Sequence, residues 1–405
     1  MGLSEIAKGI APSPTLKLNE RALLLKQRGD PVIHLGIGEP KGKTPIDAVL
    51  AASASLGSGN IKYTPADGIP ELKQAIVRYM EDNYQKAVDA KQVMVSSGAK
   101  AALYAILRTI LNPQEEVIIT VPYWVSYPEM VKLAFGVPII VRPEDGRFEP
   151  KVSDIEQAVS KYTKAVIVNS PNNPSGAVYS EGFISDIVDF CERRGLYLIM
   201  DDIYHKIVFD DIVPPNPYKF AREQGENSRL IVINGISKLY GMTGFRIGWA
   251  VASKKIIEVA TNCQMQTISC PSALLQVAAV GALLGMQSYV DALRRNLQNN
   301  RDVVVRELET ISDVKVFRPQ GTFYCVADFR AYSFDSTALS EFLLDKALVV
   351  TVPGKEFGLE GYLRLSFAGS TKEVIDGVQR IRWALDPSAP RDIYIGDRRV
   401  LRDWK

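Results

Sequence analysis

GISKLYGMTGFRIGW, residues 235–249, places one lysine, Lys238, in a small-residue turn directly after the β-branched run LIVIN. Arg246 follows among glycines. A lysine framed in this way can form a Schiff base with an aldehyde. The planar fork of an arginine can hold a phosphate through two parallel hydrogen bonds. A bare Ser-Lys dipeptide would carry no such meaning, because most lysines sit on solvated surface. The register of several glycines, one lysine and one arginine carries it.

Upstream, continuous apolar runs rich in β-branched residues recur: EVIIT near Val117, KAVIVN near Val168, LYLIM near Leu198 and LIVIN near Ile231. Such runs suit parallel strands covered on both faces. Helical stretches lie between them, GAKAALYAILRTIL and FISDIVDFCERRG, the latter ending at Gly195 as a C-cap. Alternating βαβ units predict a mostly parallel sheet that binds ligands at the carboxyl ends of its strands. The ends of the chain read differently. Residues 13–45 carry Pro, Gly and the short run VIHLGIGEP, and from Asp302 onward short strands (VKVFRP, TFYCVADF, YLRLSFA) alternate with amphipathic helix. TKEVIDGVQRIRWAL has apolar residues at helical spacing and closes the fold. The tail from Asp386 to Lys405 is polar and reads as a solvated extension.

The composition fits a soluble enzyme. A chain of 405 residues is too long for one ordinary core, so two domains are the default. Hydrophobic content of 46% and charge of 23% are globular values, and a net charge of +2 gives no reason to expect nucleic acid or an anionic membrane. No apolar run reaches the roughly 20 residues that span a bilayer. The start MGLSEIAKGIAPSP lacks a secretory apolar core, and Ile6 stands where a myristoylation signal needs Ser or Thr. Cys191, Cys263, Cys270 and Cys325 form no CxxC pair and read as reduced interior thiols of a cytoplasmic protein. With only His34 and His205, neither a histidine-ligated metal site nor histidine acid/base chemistry is expected.

The 235–249 motif resembles the pyridoxal-phosphate attachment motif of class I aminotransferases, the aspartate aminotransferase family of fold type I. The resemblance runs from about Pro14 to Leu385. It implies an α/β fold whose large domain holds a mostly parallel sheet of the seven-stranded type flanked by helices. A smaller α+β domain is built from both chain ends. The division expected is an N-terminal arm and part of the small domain over 1–45, the cofactor domain over 46–300, the small C-terminal domain over 301–387 and a polar extension over 388–405.

Pyridoxal phosphate asks its protein for a lysine, a charge near the pyridine nitrogen, a phosphate cradle and a surface against the ring. LYLIM runs into DDIYHKI, and an aspartate at the end of a buried strand is costly without a partner. The same two aspartates could instead cap a following helix. The family's D-x-x-Y element assigns Asp201, not Asp202, to the ring nitrogen and Tyr204 to the ring's 3-oxygen. SPNNPSG is a turn that resembles the family's N-P-[TS]-G element, which assigns Asn173 to the same oxygen. In VMVSSGAKAALYAIL, Gly98, Ala99 and Lys100 open a helix, and a helix N-terminus attracts anions. Arg246 and Ser237 complete the phosphate site. Gly235 departs from the family, many of whose members have a phosphate-binding Ser there. Trp124 in VPYWVSY aligns with the stacking aromatic, while Tyr123 and Tyr127 read as core or rim.

For the substrate, the resemblance assigns Arg364 in YLRLSFAGS to the α-carboxylate, Gly38 to backbone room, and Phe323 in GTFYC to the pocket wall; Lys100, Trp124 and Asn173 also face substrate. KYTPADG resembles the family's Y-x-x-x-x-G element, whose tyrosine, here Tyr63, reaches the cofactor of the partner subunit. The expected protein is therefore a homodimer with shared active sites. It performs a ping-pong aminotransferase reaction in which Lys238 holds the cofactor and then moves a proton as base and acid. Its partners are amino acids and 2-oxo acids, with no metal. Aspartate and glutamate with 2-oxoglutarate and oxaloacetate are the expected substrates, with Lys100 meeting the distal carboxylate. Aromatic, prephenate or alanine transamination, or a β-lyase or decarboxylase of the same fold, would keep the same cofactor residues. A regulator built on this fold would need a DNA-binding domain, for which the residues before Pro14 leave no room. Lys41 and Lys43 in GEPKGKTP replace residues acidic in many relatives. Their charge either favours acidic substrates or is solvated surface.

Overall fold

The strand runs read from the sequence build one seven-stranded sheet in a computed structural model that describes residues 2–10, 14–144, 146–223, 225–396 and 398–404. Its order is Val93–Ser96, Gly248–Val251, Leu230–Gly235, Tyr197–Asp201, Thr163–Asn169, Glu116–Thr120, Val137–Val141. Gly248–Val251 runs antiparallel to both of its neighbours, and the other pairs are parallel.

Side chains alternate between two buried faces, as the pleat requires. Ile199, Ile231, Ile233 and Ala250 face one core with the helices Ala99–Ile110 and Lys254–Ile268. Leu198, Met200 and Val232 face the other, with Pro70–Tyr84 and Glu181–Arg194. Burial on both faces is why these strands read as unbroken apolar runs rather than as alternation. The Glu181–Arg194 helix starts where the Ser180 side chain accepts the Phe183 amide. It ends at Gly195, left-handed with φ 67°.

A second unit contains the antiparallel sheet Val352–Pro353, Tyr362–Ser366, Tyr324–Asp328, Lys315–Val316. The strand Ile33–His34 pairs in parallel with Val349–Val350, so both chain ends meet there. The helix Thr371–Leu385 follows its sequence pattern and begins in a capping box between Ser370 and Glu373.

Two expectations change. The tail is no solvated extension: Asp392–Ile395 and Arg398–Leu401 pair as an antiparallel hairpin. Ile395 is buried with Val350 and Leu344, and the Trp404 ring sits edge-on to Trp383 at 5.2 Å. The cysteines are unpaired, but only Cys191 and Cys325 are buried, while Cys263 and Cys270 are half-buried. No single helix among the described residues is long and apolar enough to cross a membrane.

Candidate active site

The carboxyl ends of the parallel strands open into a cavity of about 300 Å³ lined by residues from both units. The Tyr197–Asp201 strand delivers Asp201, the loop after Thr163–Asn169 delivers Asn173, and the turn after Leu230–Gly235 delivers Ser237 and Lys238. Arg364 arrives mid-strand from the second unit, in Tyr362–Ser366. This is where a sheet of parallel strands is expected to hold its ligand.

Lys238 Nζ donates to the Gly38 carbonyl at 2.5 Å. Asp201 is buried, and its carboxylate accepts from Tyr127 Oη at 2.6 Å and from the Ile203 amide. Burial pushes its carboxyl above the ordinary carboxylate range, and those two donors and Lys238 partly hold it down. No helix follows Asp201 and Asp202, so neither is a helix cap. Alternation sends them apart: Asp202 lines a different cavity with His205 and accepts from Tyr84 Oη at 2.8 Å. Burial raises Tyr204 well above the usual phenol value, and its hydroxyl lies 3.4 Å from Tyr324 Oη.

Gly98 caps the Ala99–Ile110 helix at φ 95°, a backbone state that favours glycine. A Cβ at Gly98 would press on the Arg246 guanidinium, and one at Gly248 would collide with the Gly98–Ala99 backbone. Helix N-terminus and arginine thus stand against each other with no room for a side chain between them, and Ala99 and Arg246 both line the cavity. Arg246 itself is left-handed at φ 52°, with Nη1 donating to Thr243 O at 3.0 Å. Such a conformation in a non-glycine residue needs support from its surroundings. Gly235 also has a structural reason. Its backbone is extended, but a Cβ there would lie 2.9 Å from Gly248 Cα and Ile247 O.

Arg364 is only 5% exposed. Its Nη1 donates to Asn173 Oδ1 at 3.0 Å and its Nη2 to Gly36 O at 3.1 Å. Its guanidinium carbon lies 4.1 Å from the Tyr324 ring centre, and its Nε, buried, has no partner among the described residues. Burial lowers its pKa from the usual value. Lys100 Nζ donates to Ser126 Oγ at 3.0 Å and sits 4.7 Å from the Trp124 ring centre. Burial first, then Arg246 and Lys238, lower its pKa.

Most of the expected residues therefore converge: Gly38, Ala99, Lys100, Trp124, Asn173, Asp201, Tyr204, Ser237, Lys238, Arg246 and Arg364 all line this cavity, and Gly98 lies beneath it. Phe323 is a correction. It is fully buried behind the wall, its ring centre 5.9 Å from Lys238 Nζ, and the next residue, Tyr324, takes the lining position. Tyr63 is 91% exposed and outside the cavity. Lys41 lies on solvated surface outside the cavity, where it pairs with Glu373 at 2.6 Å and ties its loop to the Thr371–Leu385 helix. Tyr127, Asn169, Gly36, Tyr324 and Asn19 line the site without having been expected. Asn169 is the last residue of its strand, and its side chain bonds both the Asp201 carbonyl and the Asn173 amide at 2.8 Å.

A model of the family described as aminotransferase class I and II matches residues 30–381. A probable aspartate/prephenate aminotransferase of Aquifex aeolicus is 37% identical over 392 residues, covering 95% of this chain and 99% of that one. An aspartate aminotransferase of a Bacillus species is 36% identical over 94% of this chain and 98% of its own. Among solved structures, aspartate aminotransferase from Thermus thermophilus with maleate superposes with a TM-score of 0.89 at 33% identity, covering 94% of this chain and 99% of that one. The enzyme from Rhizobium meliloti gives 0.89 at 34%, over 94% and 98%. The chain belongs to the aminotransferase class I and II family.

Proposed function

We propose that this chain is a pyridoxal-phosphate-dependent transaminase that exchanges the amino group of aspartate or glutamate with oxaloacetate or 2-oxoglutarate. The observation that carries the reading is the placement of Lys238 and Arg364 in one cavity with a buried acid, Asp201, that makes no salt bridge among the described residues. Four cations line that cavity, Lys100, Lys238, Arg246 and Arg364, against the single carboxylate of Asp201. Such a balance suits a ligand set with a phosphate and carboxylates. The residues fit the cofactor. Asp201 makes no salt bridge among the described residues and would be matched by a protonated ring nitrogen. Ala99 at the helix start, Ser237 and Arg246 all line the cavity and would cradle the phosphate. Tyr204 and Asn173 would meet the 3-oxygen, and Trp124 the ring face.

When bound, the cofactor supplies a conjugated electron sink for the bond broken at the substrate's α-carbon. Arg364 would fix the α-carboxylate through its fork, which holds the α-carbon toward Lys238. The Lys238 amine would then take and return the α-proton as general base and acid. Tyr63 would serve a second copy of the chain. Exposed Ile46, Val49 and Leu50 on the helix Ile46–Gly57 support a homodimer. A cytoplasmic location belongs to the same reading.

The relatives' names support the dicarboxylic choice, as does Lys100 beside Trp124. The test is single-turnover conversion of aspartate by the cofactor-loaded protein and by Lys238→Ala. The variant should lose α-proton removal by several orders of magnitude while still binding aspartate. A variant that keeps the wild-type rate removes Lys238 from the reaction.

A further inference from the structure

The carboxylate end of the cavity is joined to the N-terminal helix by a hydrogen-bonded chain. Asn19, on the helix Pro14–Gln27, faces the cavity. Its Oδ1 lies 2.6 Å from His34 Nε2. The Gly36 amide donates to His34 Nδ1 at 3.2 Å, and the Gly36 carbonyl accepts from Arg364 Nη2 at 3.1 Å. An amide N–H can only donate, so Nδ1 must carry a lone pair. A neutral ring then has its hydrogen on Nε2 and must donate to Asn19. The chain therefore fixes which way the Asn19 amide turns: oxygen to the imidazole, NH₂ away from it. That NH₂ has no hydrogen-bond partner among the described residues. Burial, with Lys26, Lys41 and Arg364 nearby, lowers His34 to about 4, so the ring is neutral at physiological pH.

The packing leaves little slack. A Cβ on Gly36 would lie 3.2 Å from His34 Cε1 and from Val352 Cγ2, and His34 sits in register with Val350. The imidazole thus stands close against Gly36 while it holds Asn19. An asparagine on an exposed helix face ordinarily turns to water. Here its oxygen is committed to His34, and the residue lines the cavity that also contains Arg364.

We propose that Asn19 is a substrate-binding residue that donates to the carboxylate held by Arg364, and that His34 is the positioning residue that turns its amide toward that carboxylate. The inference rests on the aminotransferase reading of the site. It also makes the N-terminal helix, which packs Ala22 against Leu344 and Leu348 and pairs Arg21 with Asp345, a part of the binding pocket.

The test compares Asn19→Ala, His34→Ala, His34→Gln and the double Asn19→Ala/His34→Ala variants in the cofactor-loaded protein. It reads KM and kcat for aspartate, the Kd of the unreactive dicarboxylate succinate, and the melting temperature. A hydrogen bond to a charged group corresponds to roughly a tenfold change or more. Asn19→Ala should raise KM and the succinate Kd about tenfold, with kcat falling far less and the melting temperature unchanged. His34→Ala should give a loss of similar size, and His34→Gln, which keeps a donor and an acceptor, should recover most of it. The double variant should be no worse than Asn19→Ala, because His34 acts through Asn19. An unchanged succinate Kd in Asn19→Ala overturns the proposal, and so do losses that multiply in the double variant. If His34→Ala fails to fold, Asn19→Ala alone decides. A wild-type chain that binds cofactor yet transfers no amino group counts against the reaction, not against this assignment, because succinate binding still reports on Asn19.

Discussion

Tyr127 donates its phenolic hydrogen to Asp201 Oδ2 across 2.6 Å, joining the first turn of the helix Ser126–Leu133 to the end of Tyr197–Asp201. The bond is buried and charge-assisted, and it helps to keep a desolvated carboxyl in the ionised form that a ring nitrogen needs. Asp201→Asn should lower turnover by orders of magnitude with little effect on folding, since a neutral amide cannot keep a pyridine nitrogen protonated. Tyr127→Phe should lower it about tenfold, the scale of one hydrogen bond to a charged group. Asp202→Asn should be mild. Steady-state kcat with aspartate, beside a melting curve, ranks the three. A larger effect at Asp202 than at Asp201 would reverse the assignment.

The sheet was legible because its strands are buried on both faces, which leaves runs such as KAVIVN unbroken. Lys238 was legible because it stands in a motif with glycines and Asp201 because it stands at a strand end, whereas Arg364, mid-strand, was reached only through the family resemblance. What stayed hidden depended on tertiary contact or on a one-residue register. Phe323 and Tyr324 are both aromatic, and only the backbone decides which faces the cavity. Tyr127 and Asn169 act on residues far along the chain. His34 gave no signal as a lone histidine in a short apolar run. The hairpin in the tail was masked by arginines and aspartates, although Ile395 and Trp404 were its anchors.

The contacts a Cβ would make at Gly235 leave no room for a serine there. Gly235→Ser, and equally Gly235→Ala, should destabilise the fold by about 1–3 kcal/mol, the range for forcing atoms into a packed site. Neither should tighten cofactor binding. Urea unfolding and a fluorescence titration with pyridoxal phosphate check both. Tighter binding in Gly235→Ser alone would mean that the strand yields and the hydroxyl reaches the phosphate.

Asp202 should make stability depend on pH. Burial raises its carboxyl to about 7, against about 3.9 in an unfolded chain. Its contribution is therefore full below about pH 4 and is lost as pH rises through 7. Asp202→Asn removes this dependence while keeping an oxygen to accept from Tyr84. The melting temperature of the variant relative to wild type should be higher at pH 8 than at pH 5. His205, lowered to about 3 by burial, acts in the opposite sense as pH falls below about 6.5, but it is common to both proteins and cancels in the difference. A flat difference across that range would show that the carboxyl is not desolvated.

Lys100 should bias the enzyme toward dicarboxylic substrates. Its ammonium stands beside Trp124 at the cavity, held by Ser126 and by no carboxylate among the described residues. One charge-assisted contact is worth about 1.5–3 kcal/mol, or roughly ten- to a hundredfold in kcat/KM. Lys100→Ala should lose that factor for aspartate and glutamate and change little for alanine and phenylalanine. The position also lies in the first turn of the Ala99–Ile110 helix, where an ammonium could serve the cofactor phosphate instead. The two roles compete for one charge, and the substrate panel separates them. Loss confined to dicarboxylates places the ammonium on the distal carboxylate. Equal loss for all four amino acids, accompanied by weaker cofactor retention on dialysis, places it on the phosphate.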